Sequence, residues 1–411
     1  MAKSPIIITG LDIGTSSVKI IVAQKKATGD GLETLYAGQV PSRGVRKGVI
    51  IDVESSAKCV QEAVRGAEMA VGRKLPGTYI SVGGSHIFCT ASHGLVSVSR
   101  ADGNISAEDV ERVLQAARTI SLSSSNKEIV DVYPREFVVD GEGGVKDAIG
   151  MHGVRLEAEV LIVAGFSPYL RNADQAVLKG GIEVLNRMPS IIASAAATLT
   201  EQQKELGVAI LEIGAGVSSL AVYEEGELLH MAFLPVGSSN ITNDIAIGVK
   251  TDVAMAELLK VERGTCIFKG ADKKIKIGSE TDKNNVKVFS QRMVSKIIQE
   301  RVSEIFESAN KELKKIGKEK KLPAGIVLTG GGVKLAQADE LAKKIFQLTV
   351  SIGVPRDYLP NIAPDPSFAT VSGLVVAGWK EQEDESGETA HFSMGGGWWD
   401  KIKKFLKIFI P

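Results

Sequence analysis

Three short stretches of this 411-residue chain hold residue types that a phosphate chain would need. Residues 6–23, IIITGLDIGTSSVKIIVA, and residues 207–223, GVAILEIGAGVSSLAVY, share one pattern. Each runs from an apolar strand through an acid and a glycine-containing turn with small hydroxyl residues into a second apolar strand. Such β-branched runs broken by Gly, Ser and Thr predict hairpins. Small residues let backbone N–H groups approach an anion closely, and hydroxyls add donors. An acid at a strand end can orient a hydrated Mg2+, which keeps several of its waters. One D-x-G turn is commonly just a turn. Two copies about 200 residues apart could clamp a phosphate chain from both sides. A third stretch, GIVLTGGGVKLAQADELAKKIF (325–346), reads as a buried strand, a triple glycine and an amphipathic helix. Its glycines would let a flat base lie against the backbone. There is no G-x-x-x-x-G-K-[ST], which argues against a P-loop enzyme.

These turns need a large scaffold, and the composition allows one. The chain is 44% apolar with only 13 prolines, and its length suggests two or three domains. Basic and acidic residues balance at 49 each, so a global field for nucleic acid is absent. The balance is uneven, since residues 398–411 carry four Lys and one Asp, leaving 45 basic against 48 acidic residues in the body. Cys59, Cys89 and Cys266 are far apart and form no C-x-x-C pair, which fits free thiols in a reducing compartment. The five histidines have no metal-site spacing. The N-terminal apolar run is too short for a signal peptide and reads as a strand. No run approaches the ~20 apolar residues of a membrane span, and a cytosolic protein is expected.

The three elements, in this order, resemble the actin superfamily of ATP-binding proteins. The resemblance implies an α/β, actin-like fold: duplicated ribonuclease H-like domains flanking a nucleotide cleft. It implies ATP and Mg as cofactors. Asp12, Gly14, Thr15, Ser16 and Lys19 match the first phosphate motif, and Gly214, Ala215, Gly216 and Ser218 lie in the second. Gly330, Gly331 and Gly332 match the adenosine loop. Asp12 and Glu212 are the candidates for holding Mg through water. AELLKVERG looks like the family's helix that reaches the nucleoside, through Glu257 and Lys260.

Within that superfamily, SRGVRKGVIID (42–52), VYPREFVVD (132–140), GMHGVRLEAEVLIV (150–163) and LPVGSSNITNDIA (234–246) are similar to the FtsA family of actin-like cell-division proteins. The implied organisation is subdomain 1A at 1–83 and 161–190, with a 1C insertion at 84–160. Subdomain 2A would take 191–236 and 308–380, and 2B would take 237–307. A flexible linker at 381–397 and a membrane-targeting amphipathic helix at 398–411 would follow. Inside 1C, SAEDVERVLQAAR predicts a helix with Val110, Val113, Leu114 and Ala117 on one face, capped by Ser106.

On a helical wheel, the tail places Trp398, Ile402, Phe405 and Phe409 on one face, flanked by Trp399, Leu406 and Ile410. Asp400, Lys403, Lys404 and Lys407 lie opposite. At a bilayer surface the apolar face can sink into the headgroup boundary while the lysines meet anionic lipid, each contributing on the order of 1 kcal/mol. The acidic, Gly-rich segment before it fits a leash with a span of roughly 20–25 Å.

By the same resemblance, the chain polymerises into filaments at the cytoplasmic face of the inner membrane, at the division site. It would tether FtsZ filaments there and help recruit later division proteins through 1C. The FtsZ C-terminal peptide would dock on 2B, with Arg292, Arg301 and Glu304 as contacts. An actin-fold pilus-assembly adaptor and a sugar-kinase-like phosphotransferase are the alternatives. The second turn departs from the family's Asp-Ile-Gly-Gly-Gly-Thr run at Glu212, Ala215, Val217 and Ser219. The helix PSIIASAAATLTEQQ offers no acid or amide to position a water before Glu201. Hydrolysis is therefore expected to be slow or absent. Phosphate release from the purified chain checks this, and a rate matching an active actin-like ATPase would contradict it.

Overall fold

The computed structural model describes residues 6–26, 31–121, 126–277, 287–356 and 364–386. The tail, residues 398–411, lies outside the described residues. So does the linker from 387 onward. Residues 381–386 of the expected linker are the last turns of the helix Ala369–Ser386, because KEQEDES is built of good helix formers.

Two five-stranded sheets share one topology. In the first the order is Val184–Pro189, Thr78–Val82, Ile7–Ile13, Ser17–Lys25, Leu32–Pro41. In the second it is Val350–Ile352, Ile326–Thr329, Val208–Ile213, Ser218–Glu224, Glu227–Leu234. Each begins as an antiparallel meander and continues through parallel crossovers. This is the duplication expected from sequence. Central strands such as IITGLDI and VAILEI are buried along most of their length because helices cover them, so they read as mainly apolar runs that end at an acid.

Helix Ala369–Ser386 ties the halves together. The organisation implied by the resemblance gives residues 308–380 to 2A, yet Val371, Leu374 and Val375 bury against Ile8, Ile21 and Tyr79 of the first sheet. Close approach requires glycine: a Cβ on Gly373 would stand 1.7 Å from the Ala193 carbonyl oxygen. Beyond the second sheet, helices Ser238–Gly248, Val253–Arg263 and Gln291–Lys315 pack together beside a small ribbon, Lys274–Ile277 with Lys287–Ser290.

The insertion is an antiparallel sheet in the order Ile87–Ser97, Arg155–Phe166, Lys127–Val139, Glu142–Val145. Helix Ala107–Ser121 lies on one face and buries Val110, Val113, Leu114 and Ala117, the expected stripe. Ser106 and Asp109 close its N-terminus reciprocally: Ser106 Oγ accepts the Asp109 N–H at 3.3 Å, and Asp109 accepts the Ser106 N–H at 2.9 Å. The insertion also joins the second half. Leu161 and Val163 share a core with Tyr223, Leu228 and Met231, against which Cys89 and Tyr133 pack.

Candidate functional site

Both hairpin turns are built alike. Asp12 faces Lys19 and Ile13 faces Val18 across the first, and Gly14 N–H donates to Ser17 O at 3.0 Å. Glu212 faces Ser219 and Ile213 faces Ser218 across the second, and Gly214 N–H donates to Val217 O at 2.9 Å. The two turns thus superpose with an offset of 200 residues. They meet at one cleft of about 750 Å³ between the halves. Asp12, Gly14, Thr15, Ser16, Lys19, Glu212, Gly214, Ala215, Gly216, Glu257, Lys260 and Gly330–Gly332 all line it.

Ser218 is a correction. It is fully buried, and its hydroxyl donates to Val236 O at 2.8 Å, away from the cleft. Its counterpart at the 200-residue offset is Val18, a core residue, because strand side chains alternate faces. Ser219, the counterpart of Lys19, lines the cleft instead.

Hydroxyl groups from neighbouring elements hold the two acids. Ser81 Oγ, on the adjacent parallel strand, donates to Asp12 at 2.6 Å, and Lys19 Nζ lies 3.8 Å from the same carboxylate. Thr370 Oγ1, on the last helix, donates to Glu212 at 2.6 Å and also meets Ser194 Oγ at 2.9 Å. Burial pushes the Glu212 carboxyl up to about 7; the Thr370 bond opposes the rise and the Asp12 charge adds to it. A dication between the two acids would relieve that repulsion. Among the described residues no cluster of three or more His, Cys, Asp or Glu could hold a metal. Two carboxylates alone suit Mg2+, which retains waters, so the donor set fits.

The adenosine side is tightly determined. Gly330 has φ 87°, and a Cβ on it or on Gly332 would strike Ile213 at 2.7 and 2.4 Å. A Cβ on Gly331 meets only Ser367 at 3.7 Å, so this glycine's surface is open. Lys260, 7% exposed, donates to Thr242 Oγ1 at 2.9 Å and to Ser238 O at 3.3 Å, and pairs with Glu257 at 2.7 Å. Its charge is already matched.

Sequence reading missed Ser81 and Ser238, which reach the cleft through tertiary contacts. The signal for Ser238 lay in LPVGSSN. Ser238 and Ser239 N–H donate to Gly214 and Ala215 carbonyls at 2.9 and 2.8 Å, so the helix start props the second turn. A Cβ on the preceding Gly237 would collide with Ala215 O at 2.6 Å.

The residues expected to hold a peptide do not form one patch. Arg292 and Arg301 are nine positions apart on Gln291–Lys315, half a turn round the helix. Arg292 is exposed, whereas Arg301 is held by Asp244 at 2.5 and 3.0 Å and by Glu304 at 2.5 Å.

The chain is similar to known families and proteins over most of its length. A family model described as cell division protein FtsA matches residues 209–373, and one described as an SHS2 domain inserted in FtsA matches residues 84–164. Cell division protein FtsA of Pseudomonas aeruginosa is 35% identical over 381 residues, covering 92% of this chain and 90% of its own. That of Escherichia coli K12 is 30% identical over 418 residues, covering 98% and 97%. Among solved structures, a PilM-PilN type IV pilus biogenesis complex aligns with TM-score 0.65 at 15% identity, covering 90% of this chain and 98% of its own. MreB5 of Spiroplasma citri bound to ADP aligns with TM-score 0.55 at 13% identity, covering 92% and 98%. At those identities the structures show the actin-like fold alone.

The Glu212 shift has a sign that can be measured. A carboxyl whose native pKa is raised favours the folded state below its ordinary value of ~4.5 and loses that contribution as pH climbs through about 7. Glu212→Gln keeps an acceptor for Thr370 and removes the charge. In urea unfolding without nucleotide it should gain on the order of 2 kcal/mol over the unsubstituted chain at pH 8.5 and little at pH 5. An equal change at both pH values would contradict this assignment.

Proposed function

The chain belongs to the FtsA family of cell-division proteins, and from that premise we propose that it is an ATP-binding membrane tether for division filaments. The cell-division role comes with the family. The observation that carries the nucleotide reading is the convergence of two superposable hairpin turns and a triple-glycine loop on one cleft.

In this reading the two turns hold the phosphates from opposite halves. Asp12 and Glu212 orient a water-bound Mg2+, which would screen phosphate charge. Gly330–Gly332 receive the adenine, with Glu257 and Lys260 near the sugar. The named MreB structure has ADP bound in the same fold, which supports nucleotide as the ligand class. Filament formation, docking of an FtsZ C-terminal peptide on residues 237–307 and recruitment of later proteins through 1C are parts of the same proposal. For the peptide, exposed Arg292 is the better contact, since Arg301 and Glu304 are already engaged with each other. Residues 398–411 would anchor the assembly on anionic lipid at the cytoplasmic face of the membrane. No helix among the described residues is long and apolar enough to cross a membrane. A pilus biogenesis complex shares the fold at 15% identity, whereas FtsA of Pseudomonas aeruginosa is 35% identical.

Gly331→Val tests the adenosine loop. It should weaken ATP binding at least tenfold with an unchanged melting temperature, because its side chain would enter the base site and its Cβ meets only Ser367, at ordinary contact distance. Retained affinity would remove the loop from the site. Co-sedimentation with anionic liposomes tests the tether. The full chain should pellet and a chain ending at Gly397 should stay in solution; equal behaviour of the two would discard the tail as anchor.

A further inference from the structure

The stretch SRGVRKGVIID forms an element that neither the phosphate turns nor the adenosine loop includes. Val45–Arg46 and Val49–Ile50 pair antiparallel as a minimal hairpin with Lys47–Gly48 at its tip. Both tip residues have positive φ, 49° and 72°, as a type I′ turn requires. Asn-Gly fills such a turn with least strain, and a lysine at its first position is disfavoured locally. A residue kept against its backbone preference invites a reason in its side chain.

The hairpin is anchored at its base. Gly44 O accepts the N–H groups of Ile51 and Asp52 at 2.8 and 3.1 Å, and Arg43 O accepts the Ser56 hydroxyl at 2.9 Å. Its tip seats against both phosphate-side turns. Gly48 N–H donates to Thr15 Oγ1 at 3.0 Å, and a Cβ on Gly216 would stand 3.0 Å from Lys47 Cα. Gly48 itself lines the cleft.

Charge decides what the tip can do. The lysines lining the cleft are all matched: Lys19 lies near Asp12, Lys260 pairs with Glu257, and Lys334 with Asp365 at 2.8 Å. Arg46 and Lys47 are exposed on the hairpin and Arg43 just before it, and none of them pairs with an acidic side chain among the described residues. The unmatched positive charge beside the two turns is therefore carried by this hairpin. An ammonium on a flexible stem is a suitable point charge for a phosphate oxygen.

We propose that the Val45–Ile50 hairpin is a third phosphate-contacting element, in which Lys47 meets the terminal phosphate and so separates a nucleoside triphosphate from a diphosphate. This rests on the nucleotide reading of the cleft. Lys47→Asn provides the test, because an Asn-Gly tip preserves the turn while deleting the charge. Affinities of the full chain for ATP and ADP, each with Mg2+, are measured with melting temperatures alongside. Lys47→Asn should weaken ATP about tenfold, leave ADP within twofold and melt no lower than the unsubstituted chain. Lys47→Arg should keep the preference for ATP, and Lys47→Gly should repeat the Asn result. Equal losses for both nucleotides, or an unchanged ATP affinity, would overturn the proposal while leaving the nucleotide reading intact. An unsubstituted chain that binds neither nucleotide would overturn the nucleotide reading, and this proposal with it.

Discussion

Two acids on different sheets, Asp12 and Glu212, face one cleft, and much of the molecule serves to make that arrangement tolerable. Burial raises the Glu212 pKa, and the like charge of Asp12 adds to the rise. Each acid is held by a hydroxyl from an element remote in sequence, Ser81 for Asp12 and Thr370 for Glu212. Thr370 can reach only because its helix packs at backbone distance: Gly373 lies against Ala193, and Gly10 would carry a Cβ only 2.8 Å from Val371 O. A glycine contact one helical turn from Thr370 thus supports a hydrogen bond to a cleft acid.

The same economy of side chains appears at the turns. Gly214 and Ala215 carbonyls are occupied by the N–H groups that start helix Ser238–Gly248, so the second turn is propped from behind. The first turn is propped through Thr15 by the Lys47–Gly48 tip. Neither turn depends on its own hairpin alone, and a preorganised backbone loses little freedom when an anion arrives. The insertion adds a further tie, since its sheet shares a core with the second half. The insertion is therefore in packed contact with elements of both halves, Val82 of the first and Val208 of the second.

Much of this was legible in the sequence where the signal was local. The duplicated strand–acid–glycine pattern marks both turns because close anion approach demands small residues at fixed spacing. The triple glycine and the Val110–Ala117 stripe are legible for similar reasons. Parity was harder: Ser218 and Ser219 are adjacent hydroxyls, and register alone decides that Ser219 faces the cleft. Helix periodicity by itself puts Arg292 and Arg301 on opposite faces, so their separation was open to reading from spacing. Ser81, Thr370 and the Lys47–Gly48 tip come from elements whose place at the cleft is set by packing, and no local pattern records that.

Calorimetric titration of the full chain with ATP, in Mg2+ and then in EDTA, addresses the central claim most directly. One saturable site per chain is expected, with affinity higher in Mg2+ because Asp12 and Glu212 would hold the dication through water and it would offset phosphate charge. Absence of saturable binding in Mg2+ would contradict it.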